Sequence, residues 1–435
     1  MSGEVTYVVQ PGGTLSGRLR VPGDKSISHR AVMLGALAEG VTEITGFLNG
    51  EDCLCTMKSF QAMGARVEQL GPTALRIHGV GLRGLRAPAH DLDLGNSGTS
   101  MRLMAGLMSG QRFPTVLTGD ASLSRRPMKR VIGPLTEMGA RIDSNDGKAP
   151  LRISPAEGLM GISYRSPVAS AQVKSCILLA GLYAQGRTEV IEPEASRDHT
   201  ERMLRAFGVR IEAEPGRAAL DGGQSLHGTR IEVPADISSA TFFMVGAAIT
   251  PGSDVLLPDV GINATRTGIV EILRRMGARV DLDNERHFGA EPVADIRVRG
   301  GKLKGIAIDK KLVASAIDEF PAIFIAAACA DGVTEVAGAE ELRVKESDRI
   351  QAMVDGLRVL GIQAEAKADG ARIEGGRLGG GTIDSHGDHR VAMSFAIAAL
   401  RASAPIRVLD CANVNTSFPG FAELVRGAGL GIEVR

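Results

Sequence analysis

Along the 435 residues one arrangement of apolar and polar positions keeps returning. An amphipathic helical stretch ends in a bulky apolar residue, then Gly, then a small or β-branched apolar residue. The copies are Met63-Gly64-Ala65, Met138-Gly139-Ala140, Phe207-Gly208-Val209, Met276-Gly277-Ala278, Leu360-Gly361-Ile362 and a weaker Ala428-Gly429-Leu430. They stand roughly 70 residues apart, long for a solenoid repeat and right for a βαβαββ unit. Gly suits the position just past a helix end, where the chain must turn left-handed. Short alternating strands such as Arg66-Val67-Glu68 and Arg279-Val280-Asp281-Leu282 follow. Each unit also holds a more apolar helix rich in Ala, Leu and Met, predicted over 31–38, 101–108, 176–183, 240–249, 321–330 and 391–400. A helix apolar all round is buried. Six units, each with one buried helix, one surface helix and several strands, predict an α/β chain in two lobes of three repeats. The N-terminal lobe is expected at 22–234. Residues 1–21 and 235–435 form the other, with the crossover near Pro234 and a first strand at 5–9 joining the second lobe.

The starts of the apolar helices are polar in a particular way. They read Gly23-Asp24-Lys25-Ser26-Ile27-Ser28-His29-Arg30, Gly95-Asn96-Ser97-Gly98-Thr99-Ser100-Met101-Arg102 and Ser170-Ala171-Gln172-Val173-Lys174-Ser175. Small hydroxyl residues sit where free backbone N–H groups begin a helix, and a cation follows within the first turn. Two readings stand side by side. Ser, Thr and Asn are ordinary N-caps; the same groups, with the positive dipole end, also suit a phosphate or carboxylate. Three such turns at equivalent places of related units favour the anion reading, because equivalent helices point their N-termini the same way. Mixed clusters at 124–130, 196–199, 343–349 and 388–390, and the acids Asp318-Glu319, are either solvated faces and helix-start acids or parts of a site.

Composition narrows the partners. Hydrophobic residues make up 44% and charged residues 23%, as in a soluble globular protein, and formal net charge is zero. Without a basic block, neither nucleic acid nor a membrane surface is an expected partner. The longest apolar run, 321–330, is far short of the ~20 residues of a membrane span, and residues 1–13 carry no leader pattern. Five Cys form no framework, which fits free thiols and a cytoplasmic location. No phosphate-binding P-loop, dinucleotide fingerprint or nucleophile elbow is present. His386 and His389 have a metal-compatible spacing but no third ligand nearby in sequence, so no metal is expected.

Taken together the segments GDKSISHR (23–30), GNSGTSMR (95–102), RRPMKR (125–130), SAQVKS (170–175), SRDHTE (196–201), RVKESDR (343–349), DHR (388–390) and TSFPGF (416–421) resemble the 5-enolpyruvylshikimate-3-phosphate synthase family of enolpyruvyl transferases. They run in order across nearly the whole chain. The resemblance implies a two-lobed inside-out α/β barrel of six βαβαββ repeats, three per lobe, with the active site between the lobes. It implies transfer of the carboxyvinyl group of phosphoenolpyruvate to the 5-hydroxyl of shikimate 3-phosphate, with release of phosphate. Carried over by motif, Lys25, Ser26, Arg30, Ser170, Gln172, Ser196, Asp318 and Lys345 are expected around shikimate 3-phosphate. Lys25, Asn96, Gly98, Arg126, Gln172, Lys345, Arg349 and Arg390 are expected around phosphoenolpyruvate. Asp318 is expected to take the 5-hydroxyl proton, and Glu346 with Lys25 to protonate the vinyl methylene.

The chemistry explains these residue types. Planar Arg forks bind carboxylate and phosphate bidentately, and addition to a vinyl carbon needs an acid and a base poised on opposite partners. No cofactor is implied, and a monomer is expected. Family members are inhibited by glyphosate at the phosphoenolpyruvate site, and Gly98 leaves that site open. The sequence departs from many relatives at Leu103, His199, Glu341 and Thr416, where Pro, Tyr, Asn and Lys are common. The sister transferase acting on UDP-N-acetylglucosamine resembles a different pattern, with a Cys on a mobile loop and Asn after the lysine; here Ser26 follows Lys25 and 125–130 has no Cys. A non-catalytic repeat scaffold is the remaining alternative.

Overall fold

The computed structural model describes residues 5–435; residues 1–4, which the repeat count assigns to the second lobe, lie outside them. The chain divides into two compact units, one of Gly23–Val233 with Phe288–Ala290, the other of the segment ending at Pro22, Pro234–His287 and Glu291–Arg435.

The Gly23–Val233 unit holds three four-stranded sheets of one topology. Their orders are Arg230–Glu232, Glu39–Thr45, Ala74–Val80, Arg66–Gly71; Leu92–Asp93, Thr115–Thr118, Lys148–Ser154, Arg141–Asn145; and Ser163–Arg165, Arg187–Ile191, Arg217–Asp221, Ile211–Glu214. In each the first pair is parallel and the other two are antiparallel. The last strand of the unit pairs with its first long one, Ile231 opposite Ile44, so the three repeats close on themselves. Inside lie the helices Lys25–Leu37, Gly98–Ser109 and Ala171–Gly181, almost wholly buried. Helices within and sheets outside make this an inside-out arrangement. At Gly106 a Cβ would stand 2.2 Å from the Cys176 carbonyl oxygen, so only Gly allows these two helices to pack this closely.

The second unit repeats the scheme with buried helices Ile237–Ile249, Phe320–Ala328 and His389–Ala398. Its sheets are built on Asp254–Gly261, Val333–Val336 and Ile406–Leu409. The strand Tyr7–Val9 lies between Ile406–Leu409 and Ile432–Val434, so the start of the chain completes its last sheet. In both units the buried helices begin before the apolar runs that predict them. Lys25 to Arg30 is already helical, because the polar first turn takes helical geometry without joining the core pattern.

The recurring glycine has one structural meaning in all six copies. Gly64, Gly139, Gly208, Gly277, Gly361 and Gly429 have φ between 84° and 120°. The next residue's N–H returns to a carbonyl five residues back, as in Ala65 to Phe60 at 3.0 Å and Ala278 to Leu273 at 2.9 Å. This is the left-handed helix cap that satisfies otherwise orphaned carbonyls. Arg205, Arg274, Arg358 and Arg426 reinforce it, each giving its guanidinium to the backbone carbonyl six residues on.

Candidate active site

In the Gly23–Val233 unit the three buried helices start close enough for their polar residues to be tied pairwise. Asp24, Ser97 and Ser170 cap them through Ile27, Ser100 and Val173 N–H. Ordinary capping therefore accounts for these three, but not for the residues beside them. His29 Nδ1 lies 2.8 Å from Thr56 Oγ1 and 3.4 Å from Ser100 Oγ, linking the first helix to the second. Burial, then the charges of Lys25 and Arg30, hold its imidazole well below the ordinary histidine range, so it stays neutral and serves as a hydrogen-bonding strut. Arg102 Nη1 donates to Gln172 Oε1 at 2.9 Å and Gln172 Nε2 to Thr99 Oγ1 at 3.0 Å, linking the second to the third. Arg30 Nη2 donates to Ser175 Oγ at 2.8 Å, linking the third to the first.

Of the expected binding residues, Lys25, Ser26, Arg30, Asn96, Gly98, Arg126, Ser170, Gln172 and Ser196 belong to this unit. Lys25 Nζ meets Asp52 Oδ2 at 3.0 Å. Arg126, nearly buried, donates to Asn96 Oδ1 at 2.6 Å. A Cβ on Gly98 would stand 2.7 Å from Arg102 Nη1 and 3.1 Å from Arg126 Nη1, so this glycine lies directly under two guanidinium groups. Ser26 is half-buried in the first turn of its helix. Arg30 also gives Nε to Thr200 Oγ1 at 2.7 Å and Nη1 to the Ser26 carbonyl at 2.9 Å, which makes it the clamp of the ring as well as a cation within it. Ser170 N–H and Ser196 Oγ–H both donate to Glu192, at 2.8 Å each.

In the second unit Arg349, 2% exposed, opens the helix Arg349–Val359 and faces three carboxylates. Nε is 2.8 Å from Asp388 Oδ2, Nη1 3.3 Å from Asp318 Oδ1 and Nη2 2.5 Å from Glu346 Oε2. Lys345 Nζ is 3.8 Å from Asp318. Burial opposes the Arg349 charge, but Asp388, Glu346 and Asp318 outweigh it and raise its pKa further, so the guanidinium is permanently charged. Asp388 caps His389–Ala398 through Arg390 N–H at 2.9 Å and accepts Ser347 Oγ–H at 3.1 Å. The two expected proton-transfer acids thus share one fixed cation, which holds them in defined positions.

Thr416 is 3% exposed and donates to the Asn413 carbonyl at 2.7 Å; Leu103 and His199 are buried. His386 leans toward Asp384, 3.5 Å away, and His389 is 3% exposed. Among the described residues no three potential ligands gather as a metal site.

The residue pattern and topology have known counterparts. Residues 9–425 match the family model of EPSP synthase (3-phosphoshikimate 1-carboxyvinyltransferase). The chain belongs to the EPSP synthase family. It is 63% identical over 434 residues to the 3-phosphoshikimate 1-carboxyvinyltransferase of Methylococcus capsulatus, covering 99% of each chain. It is 62% identical over 429 residues to that of Nitrosococcus oceani, covering 98% and 97%. The solved EPSP synthase of Acinetobacter baumannii superposes with a TM-score of 0.88 at 55% identity, covering 99% of this chain and 100% of that one. These full-length matches to EPSP synthases favour this family over the sister transferase and over a scaffold, and the chain has the family's inside-out α/β fold.

Asp52, His29, Arg102, Lys174, Glu192, Glu201 and Asp388 join these clusters without an individual role expected from the sequence. His29, Arg102, Lys174, Glu201 and Asp388 lie inside the segments that carry the resemblance, where polar residues at helix starts were the signal. Glu192 follows a strand with no local pattern to mark it.

Proposed function

We propose that this enzyme transfers the carboxyvinyl group of phosphoenolpyruvate to the 5-hydroxyl of shikimate 3-phosphate, with release of inorganic phosphate. The observation that carries the reading is the pairing of Asp318 and Glu346 on Arg349 in a chain related over its whole length to 3-phosphoshikimate 1-carboxyvinyltransferases. Lys25, Ser26, Arg30, Ser170, Gln172, Ser196, Asp318 and Lys345 hold shikimate 3-phosphate. Lys25, Asn96, Gly98, Arg126, Gln172, Lys345, Arg349 and Arg390 hold phosphoenolpyruvate. Each N-terminal helix start leaves N–H groups beyond the one its cap takes, and these suit the anionic groups of both substrates.

In the reaction Asp318 accepts the 5-hydroxyl proton as that oxygen bonds to C2 of phosphoenolpyruvate, while Glu346, with Lys25, delivers a proton to C3. The tetrahedral adduct then returns a C3 proton to Glu346, and the phosphate leaves with its bridging oxygen and takes up the proton held by Asp318. Arg126, Arg349 and Arg390 balance the carboxylate and phosphate charge. The enzyme works as a cytoplasmic monomer on small molecules; among the described residues no helix is long and apolar enough to cross a membrane. Phosphate release from phosphoenolpyruvate, assayed with and without shikimate 3-phosphate, tests the reading: release requires both, and release from phosphoenolpyruvate alone refutes it.

A further inference from the structure

We propose that Lys174, Glu192 and Glu201 form a buried device that positions Ser170 and Ser196 for the phosphate of shikimate 3-phosphate, an inference that rests on the assignment of those two serines above. All three ionic side chains are at most 5% exposed. Lys174 Nζ stands 3.1 Å from Glu192 Oε2, 2.8 Å from Glu201 Oε1 and 3.4 Å from the Ser196 carbonyl oxygen. Glu192 in turn accepts Ser170 N–H at 2.8 Å and the Ser196 hydroxyl at 2.8 Å from both of its oxygens. Three segments meet on one carboxylate: the start of the helix Ala171–Gly181, the loop after the strand Arg187–Ile191 and the turn before the helix His199–Ala206.

Buried charges are costly unless paired, and removing one partner leaves an uncompensated ion. An ion cluster adds little to stability over an apolar replacement, so its presence beside two candidate ligands calls for another account. The hydrogen-bond directions supply one. The Ser170 hydroxyl accepts from Val173 N–H and keeps its own hydrogen for an incoming phosphate. Ser196 has given its single hydrogen to Glu192, which holds the residue in place until the hydroxyl rotates to a phosphate, while Ser170 N–H stays on Glu192 throughout. Lys174 keeps Glu192 paired when that happens, and its single charge, shared with Glu201, offsets part of the repulsion between these carboxylates and the dianion. Burial works against the Lys174 charge, but Glu201 and Glu192 outweigh it, so the ammonium persists throughout the working pH range. Lys174, Glu192 and Glu201 are positioning residues, acting through the serines.

The test is calorimetric titration of shikimate 3-phosphate, with steady-state kinetics, on Glu192→Gln, Lys174→Met, Lys174→Arg, Ser170→Ala and Ser196→Ala. Weakening of the charge-assisted Ser170 N–H bond to Glu192, which persists when phosphate binds, predicts ~10-fold weaker shikimate 3-phosphate binding in Glu192→Gln, more in Lys174→Met, with partial rescue in Lys174→Arg. The KM for phosphoenolpyruvate and kcat stay within about threefold, a split that general loosening of the fold would not give. Glu192→Gln keeps the shape of the site, so it decides alone if Lys174→Met fails to melt cooperatively. Unchanged or tighter binding in Glu192→Gln, with both serine variants weakened, overturns the positioning role. Unchanged binding in Ser170→Ala and Ser196→Ala overturns the serine assignment, and this proposal with it.

Discussion

Replacing Gly98 by Ala puts a methyl group beneath two arginines, and the consequences can be worked from the distances. The added Cβ lies 2.7 Å from Arg102 Nη1 and 3.1 Å from Arg126 Nη1, about 0.8 and 0.4 Å inside an ordinary contact of ~3.5 Å. Both atoms end flexible side chains, so the fold adapts. Gly98 is the first residue of its helix, where Ala gains less than the ~1 kcal/mol of a helix interior, and the melting temperature should move by no more than ~3 °C. The site does not adapt as freely. Arg126 is nearly buried and bonded to Asn96, so its shift weakens a charge-assisted contact by ~1 kcal/mol, about fivefold in phosphoenolpyruvate affinity. Glyphosate, longer than phosphoenolpyruvate, meets the methyl itself as well as the displaced guanidinium groups, and its inhibition constant should rise at least ~50-fold. Inhibition curves at several phosphoenolpyruvate concentrations, for wild type and G98A, measure both. Wild-type inhibition that ignores phosphoenolpyruvate, or equal losses for the two ligands, would rule out a place for Gly98 against phosphoenolpyruvate.

Asp318→Ala should bind shikimate 3-phosphate within roughly tenfold of wild type while turnover falls ~10²–10⁴-fold, and Glu346→Gln should lower turnover likewise; near wild-type rates in both would remove their proton-transfer roles. Gly277 has φ +96° and its nearest neighbour for a Cβ is 3.5 Å away. Gly277→Ala therefore meets backbone strain alone, ~1–2 kcal/mol or a melting-point loss of ~2–8 °C, with kcat unchanged. The Lys174 pKa is raised above its ordinary 10.5, so its stabilising contribution is complete below that pH and is lost as pH rises through the higher folded value. Wild type should then lose stability on titration above about pH 10.5 more steeply than Lys174→Met, provided that variant folds; parallel curves would contradict the coupling.

The repeat was legible because Gly past a helix end answers a backbone requirement that no other residue meets as cheaply, and six such points mark six units. The buried helices were legible through their apolar runs, but their first turns were not, since Lys25, Ser26 and Arg30 follow the demands of a site rather than of a core. Which sheet the first strand joins depends on pairing across the length of the chain, as Tyr7 with Val408 and Val434 illustrates; the repeat count assigned it to the second lobe, though periodicity alone carries no such register. Motif segments pointed to Asp318, Glu346 and Arg349. They gave no sign that all three converge, or that Asp388 completes the set, because a salt bridge across 39 residues leaves no local trace. Glu192 shows the same limit: its neighbours in space, Ser170 and Lys174, lie on a different element.

In the proposed reaction the C–O bond of phosphoenolpyruvate breaks, not the P–O bond, and shikimate 3-phosphate receives the carbon fragment. Phosphoenolpyruvate labelled with ¹⁸O at the bridging oxygen, incubated with enzyme and shikimate 3-phosphate, measures this directly by mass spectrometry of both products. The label is expected wholly in released phosphate, with an unlabelled ether-linked carboxyvinyl product and no reaction when shikimate 3-phosphate is omitted. Label retained in pyruvate or in the organic product would contradict that reaction.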